Sequence, residues 1–291
     1  MLIVALSILA ARLFGTPEKP AAEKAHMQAA AYPPEFADIQ AKAFYVYDVN
    51  AGTAIFEKNA TATLPLASIT KLMTTLVIAG NLPASSTATI TRNDLVRGED
   101  TNGLIAGEKW KAEDLLDFSL IMSSNTGMYA LADALNAHLG GDASTTIHLM
   151  NAKARELGFS DTVFFNESGL DLDATTSGSY SSARDAALLM AAVLKTDPSL
   201  LAETTENAES FVSLSGIRHT AVNTDTLVGK IVGLVASKTG FTDLAGGNLV
   251  VALDAGLGHP VVAALLGSTE EGRFSDMQIL LRAIADYYSR Q

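Results

Sequence analysis

Hydrophobic positions change their period along the chain, and the changes mark its elements. Between Ala43 and Lys58 apolar residues alternate on either side of Asn50-Ala51-Gly52, which predicts a β-hairpin. From Ser68 to Ala79 they run almost unbroken and meet Gly80-Asn81, which predicts a buried helix with a glycine signal at its end. Helical runs follow over Glu113–Met122, Thr126–Leu139 and Ser144–Leu157. Gly140-Gly141 stops the second of these, Ser144 is the predicted N-cap of the third, and Gly158 is its stop. Another helix, Ser182–Lys195, again opens on Ser. The pattern then switches to strand-like runs at Phe211–Arg218, Ile231–Lys238, Gly247–Asp254 and Pro260–Gly267. A long helix, Ser268–Tyr288, closes the chain, with Thr269 and Glu271 near its start. Strands at both ends and helices between them predict an α+β fold, with one sheet assembled from both termini and a helical lobe inserted. No internal repeat is evident.

The chain has 291 residues, of which 48% are hydrophobic and 18% charged, so a sizeable core can form and global disorder is excluded. The net charge of −12 opposes binding to nucleic-acid phosphates and offers no basic face to anionic lipid. Cysteine is absent, which removes disulfides, thiolate nucleophiles, iron–sulfur clusters and Cys-based zinc sites. The five histidines, His26, His138, His148, His219 and His259, lack helical metal-binding spacing. His148 and His219 read as structural or exposed, Trp110 as a packing residue, and the adjacent acids Glu99-Asp100 and Glu270-Glu271 as solvated surface.

Residues 1–15 contain the apolar run Leu2–Leu13, too short for a transmembrane span and suited to a signal-peptide core, although no basic residue precedes it. It reads as a signal peptide or an N-terminal membrane anchor, with a buried helix of the domain as the alternative. Residues 16–36, rich in Ala, Glu, Lys and Pro, read as a flexible linker, and residues 37–291 as the folded domain.

Three short motifs carry chemistry. Ser68-Ile69-Thr70-Lys71 places a hydroxyl and an amine three residues apart, on one face of a helix. Serine is a weak nucleophile that needs an adjacent base. Lysine can serve once burial or a second cation lowers its pKa. The plain alternative is an N-cap serine followed by a solvated lysine. Ser123-Ser124-Asn125, between two helices, offers a second hydroxyl for proton relay, and an amide to orient Lys71 and bind a substrate carbonyl. Residues of this kind also serve simply as caps. Lys238-Thr239-Gly240 ends an apolar strand; Lys and Thr together can recognise a carboxylate, and Gly leaves room for a ligand backbone along the strand edge.

The order of the motifs, with spacings of 55 and 115 residues, is far more specific than any one of them. The chain resembles the penicillin-recognising serine hydrolases, above all the D-alanyl-D-alanine carboxypeptidases among the low-molecular-mass penicillin-binding proteins. The resemblance runs over roughly residues 37–285. It includes Leu66 to Thr74 around the nucleophile, Met150-Asn151 to Gly158, Ser168-Gly169-Leu170-Asp171, Ser182 to Asp185, and Lys238 to Gly246. It implies a β-lactamase/transpeptidase-like fold with an antiparallel sheet of about five strands.

The resemblance also implies roles. Ser68 would be the acyl-forming nucleophile, Lys71 its base, and Ser123 the relay to the departing D-alanine. Asn125 would position the substrate amide, Lys238 and Thr239 would receive the terminal carboxylate, and Gly240 would make room for the bound substrate. The backbone N–H groups of Ser68 and Phe241 would form the oxyanion hole. The implied partners are a peptidoglycan stem peptide ending in D-Ala-D-Ala and β-lactams as covalent inhibitors. No metal or organic cofactor is implied, and the substrate implies an exported, extracytoplasmic enzyme. The chain departs from the pattern at Thr126, where an Asp is common, and at Ser237, where a Gly is common. It ends soon after the last predicted helix, so membrane attachment is expected only through the N-terminal segment. A DD-endopeptidase shares these motifs. A class A β-lactamase would read Glu167 to Asp171 as its E-x-x-L-N signature, with Asp171 where Asn is wanted. A non-catalytic sensor is the remaining alternative.

Overall fold

A computed structural model describes residues 33–256 and 258–290; the segments read as signal or anchor and as linker lie outside the described residues up to Tyr32. Pro34–Asp38 forms a 3-10 turn that buries Phe36, followed by β1 (Ala43–Asp48) and β2 (Thr53–Lys58), the predicted hairpin. Next come β3 (Leu64–Pro65), a 3-10 turn at Ala67–Thr70, α1 (Lys71–Asn81), β4 (Thr87–Thr89), α2 (Arg92–Gly98), β5 (Lys109–Lys111) and α3 (Ala112–Ile121). Then α4 (Asn125–His138), α5 (Thr145–Glu156), β6 (Val163–Phe164), β7 (Ser179–Ser181) and α6 (Ala183–Thr196) complete the helical lobe. A 3-10 stretch at Pro198–Thr205 leads to β8 (Ala208–Val212), β9 (Arg218–Val222), β10 (Leu234–Thr242), β11 (Gly246–Asp254), β12 (Pro260–Ser268) and α7 (Gly272–Ser289).

The main sheet is antiparallel with strand order β10-β11-β12-β1-β2, so it joins the two ends of the described chain as the pattern predicts. Its central strands are buried on both faces, which is why β11 and β12 read as continuous apolar runs rather than alternating ones. Val250, Ala252, Val262 and Ala264 face α6 and the helical lobe. Leu249, Val251, Val261 and Leu265 face α7 and the Phe36 turn. β10 occupies one edge of this sheet and borders the cleft.

Several local expectations change. The strand expected at Phe211–Arg218 is instead a hairpin: Leu214-Ser215-Gly216 makes its turn, Gly216 having φ +78°, and β8 pairs with β9 as a separate ribbon. Lys238-Thr239-Gly240 lies within β10 and not at a strand end. The first helix begins at Lys71 and continues through Gly80; it stops where Leu82, which precedes Pro83, turns extended. Ser144 makes no cap bond, since the Asp142 carboxylate accepts from its N–H and hydroxyl. The final helix starts at Gly272, whose N–H bonds the Thr269 hydroxyl. Gly158, with φ +76°, and Ser182, which accepts from the Asp185 N–H, act as the sequence predicts.

Candidate functional site

Ser68 sits in the 3-10 turn that leads into α1, where positions three apart eclipse one another. Lys71 is therefore directly over it, and its Nζ donates to Ser68 Oγ at 2.7 Å. The same ammonium donates to Asn125 Oδ1 at 2.7 Å and to the Ser168 carbonyl at 3.0 Å, which occupies its three protons. Lys71 is fully buried, and burial pulls its pKa down to about 7, with the Asp100 carboxylate opposing the shift. The turn is held from outside. Ala67 has φ +49°, Thr70 donates to the Ala67 carbonyl at 2.7 Å, and a Cβ on Gly169 would overlap that carbonyl.

The second motif ends the connection between α3 and α4. Ser123 has φ +60°, and the Ser124 hydroxyl caps α4 by accepting from the Gly127 N–H at 3.1 Å. Asn125 gives one amide proton to the Gly98 carbonyl at 3.0 Å, which turns its oxygen toward Lys71. Asp100, read from sequence as solvated surface, is in fact part of this turn. Its carboxylate accepts from the Asn125 N–H at 2.9 Å and from the Ser124 hydroxyl at 3.2 Å. Thr126, where the family pattern often has Asp, donates its hydroxyl to the Asp100 carbonyl. Only Glu99 of that acidic pair is exposed.

The strand wall faces these two turns. Lys238 is buried, and its Nζ donates to Ser123 Oγ at 2.8 Å and to the Thr239 carbonyl at 3.0 Å. Burial, then the cations of Lys71 and Arg273, hold its pKa well below the usual lysine value, against the pull of Asp225. The second cation anticipated for Lys71 thus acts on Lys238. Thr239 Oγ1 lies 2.5 Å from Thr224 Oγ1, which the turn after β9 brings into the cleft. Gly240 packs on the segment at Ser68: a Cβ there would be 2.9 Å from the Leu66 carbonyl and 3.2 Å from the Ser68 nitrogen. Asn248 on β11 braces the same segment by donating to the Pro65 and Leu66 carbonyls at 3.0 Å each.

The structure therefore brings together Ser68, Lys71, Ser123, Asn125, Lys238, Thr239 and Gly240. Thr224, Arg273 and Asn248 were not singled out from sequence, Asp100 was read only as surface, and no spacing rule places any of them at the site. Glu167 takes a different direction. Its carbonyl accepts from Thr74 at 2.6 Å, and its side chain lines a separate cavity of about 350 Å³ with Arg97 and Tyr129. Burial raises that carboxyl to about 7. Trp110 is fully buried against Phe118 and His219, and His219 pairs with Glu108 at 2.7 Å, so both are packing residues. Among the described residues, no helix is long and apolar enough to cross a membrane, and no three acids or histidines are grouped to hold a metal ion.

Comparison with known proteins agrees with the geometry. D-alanyl-D-alanine carboxypeptidase DacA of Escherichia coli strain K12 is 31% identical over 259 residues, covering 85% of this chain and 61% of DacA. The chain thus spans about three fifths of the length of that relative. A D-alanyl-D-alanine endopeptidase of Pseudomonas aeruginosa is 30% identical over 212 residues, 71% of this chain and 64% of that protein. Among solved structures, penicillin-binding protein D2 of Listeria monocytogenes in its cefotaxime-bound form matches with a TM-score of 0.70 and 29% identity, over 85% of this chain and 97% of that one. The family described as D-alanyl-D-alanine carboxypeptidase matches residues 27–270, and the chain belongs to that peptidase S11 family.

Proposed function

We propose that the protein is a serine-type D-alanyl-D-alanine carboxypeptidase that trims peptidoglycan stem peptides through an acyl-enzyme on Ser68. One observation carries the reading: Lys71, a fully buried amine with a pKa near 7, lies 2.7 Å from the Ser68 hydroxyl. A neutral Lys71 takes the Ser68 proton as Oγ attacks the penultimate D-alanine carbonyl. The N–H groups of Ser68 and Phe241 receive the oxyanion. Ser123, whose oxygen is held by the Lys238 amine at 2.8 Å, relays the proton taken up by Lys71 to the departing D-alanine nitrogen as the peptide bond breaks. Thr239 and Thr224, with the charge of Lys238 behind them, receive the terminal carboxylate. Asn125 holds Lys71 in line and keeps one amide proton for the substrate carbonyl. Water then cleaves the ester and releases a peptide one residue shorter.

β-Lactams, which imitate the D-Ala-D-Ala end, fit the same steps as covalent inhibitors; the Listeria relative bound to cefotaxime supports this. Stem peptides lie outside the cytoplasmic membrane, so the domain works there, with residues 1–15 as signal or anchor, 16–36 as a linker whose end, at Phe36, already packs on the domain, and 37–291 as the catalytic domain. The direction of the Glu167 side chain speaks against a class A β-lactamase. Endopeptidase action on cross-links is the second reading, favoured by the Pseudomonas relative. The test is intact-mass spectrometry after incubation with a penicillin, alongside release of D-alanine from a D-Ala-D-Ala peptide and cleavage of a cross-linked dimer. A stoichiometric adduct, lost in Ser68→Ala, with D-alanine release supports the carboxypeptidase. Faster dimer cleavage favours the endopeptidase, and no adduct defeats both.

A further inference from the structure

The carbonyl of Gly240 and the N–H of Phe241 belong to one planar trans peptide and point in opposite directions. Whatever holds that carbonyl therefore aims that N–H. The direction can be read from β10 itself. The Ser237 N–H leaves the sheet edge and bonds Thr204 Oγ1 at 3.1 Å. In a strand, N–H groups two residues apart point the same way, so those of Thr239 and Phe241 also face the free edge beside the cleft. The Gly240 carbonyl faces inward, and there it meets a cation: Arg273 Nη1 donates to it at 3.0 Å.

Arg273 reaches this place because the entry to α7 lies hard against β11. A Cβ on Gly247 would overlap the Thr269 carbonyl, so only glycine allows the approach. The Thr269 hydroxyl then caps the Gly272 N–H and starts the helix, which puts Arg273 in its first turn. The residue is 8% exposed, and its guanidinium stacks 4.8 Å from the Phe274 ring centre. Among the described residues it forms no ion pair, and the Gly240 carbonyl is the one acceptor its guanidinium is given. Compensated only by the more distant charges of Glu270, Glu271 and Asp225 and by one neutral carbonyl, the buried cation is weak as a packing arrangement. It is productive as a polarising one. A charged donor on a carbonyl oxygen draws density out of the amide, and coupled hydrogen bonds strengthen one another by about 10–30% each.

We propose that Arg273 is a positioning residue of the oxyanion hole, fixing and polarising the Gly240–Phe241 peptide unit whose N–H receives the oxyanion, a role that rests on the assignment of Ser68 and Phe241 above. The test uses the full chain with Arg273→Gln and Arg273→Lys. Acylation by a penicillin is followed by stopped flow, and the infrared stretch of a ¹³C-labelled acyl-ester carbonyl reports the strength of its hydrogen bonds. Losing one oxyanion donor outright costs about 10²–10³ in rate, so weakening one should slow acylation by about 10-fold in Arg273→Gln. The acyl carbonyl band should move to higher wavenumber, with penicillin binding before acylation held within about twofold. Arg273→Lys should lie between the two. A slow variant with an unmoved band overturns the proposal, because the loss then does not pass through the hydrogen bonds to the acyl carbonyl. An unchanged rate overturns it as well. If Arg273→Gln fails to fold, Arg273→Lys is judged by the same two criteria. A wild-type adduct whose carbonyl already absorbs as a free ester, or no adduct at all, would locate the failure in the oxyanion-hole assignment itself.

Discussion

On the helical wall of the cleft, Lys71 gives its three protons to a hydroxyl, an amide oxygen and a backbone carbonyl, with one carboxylate, Asp100, near enough to oppose the effect of burial. On the strand wall, Lys238 has a hydroxyl and a carbonyl, with the cations of Lys71 and Arg273 near it. Both amines are buried and both have lowered pKa values, yet they suit different work. Lys71 is poised to gain and lose a proton near neutral pH. Lys238 sits where two cations outweigh the single carboxylate of Asp225, which suits its proposed role of receiving a substrate carboxylate. The walls are also built differently. The helical wall needs left-handed backbone at Ala67 and Ser123, whereas the strand wall, past a register shift between Leu234 and Ala236, is a regular ladder through Thr242 opened by one glycine. Burial alone thus does not set a lysine's role; the neighbouring charge does.

The largest effect should come from removing the proposed base. Lys71→Met is expected to lower the acylation rate by about 10³-fold or more, measured by stopped flow. In the wild type the rate should rise with pH through about 7, since the neutral amine is the competent form and accumulates above its pKa. A profile flat from pH 5 to 9 would remove Lys71 from the role. Gly240→Ala attacks the strand wall, because the new methyl meets the Leu66 carbonyl at 2.9 Å and the Ser68 nitrogen at 3.2 Å. About a 10²-fold loss of acylation is expected, with the melting temperature little changed; wild-type rates would mean that the two walls are not in register.

Asp100→Asn should be milder and more telling. Removing the negative charge lets the Lys71 pKa fall further, so the rising limb of the pH profile should move to lower pH, while the maximal rate drops about tenfold or less as the Asn125 turn loosens. A limb that moves up would reverse the assignment of charges on the helical wall. The smallest effect lies outside the cleft. Asp117 on α3 is pushed up to about 7 by burial, then by Glu203 and two further acids. Its folded-state pKa exceeds the unfolded one, so its cost is absent at low pH and complete above about 7. Asp117→Asn should therefore raise the melting temperature by about 1–3 °C at pH 8 and have almost no effect near pH 4, read by calorimetry.

Much of this was legible in the sequence. The alternation around Asn50-Ala51-Gly52 and the apolar runs at 247–254 and 260–267 have few other physical solutions, and they gave the sheet its members. Motif order gave Ser68, Ser123 and Lys238 their meeting place. What was hidden has a common cause. The Asp100 carboxylate meets Asn125 across a loop, and Thr224 meets Thr239 from a ribbon of its own; neither contact follows any helical or strand period. Leu214-Ser215-Gly216 was read through as strand because apolar positions continue on both sides of the turn. Three-residue spacing in Ser68–Lys71 suited an α-helix and a 3-10 turn equally, so the tighter geometry could not be distinguished beforehand.

A sheet that joins the two ends of the described chain also governs when activity can first exist. Ser68 and Lys238 are more than half the chain length apart, and β1 pairs with β12 rather than with a neighbour in sequence other than β2. Such long-range pairing slows folding, since much chain must be ordered before the contacts that reward it. A nascent chain that has emerged only through the helical lobe holds Ser68 and Lys71 but neither Lys238 and Thr239 nor the Phe241 N–H. If the site works as proposed, hydrolytic competence arrives late and all at once, with β10, β11 and β12, and a partly made or truncated chain should be inert rather than promiscuous.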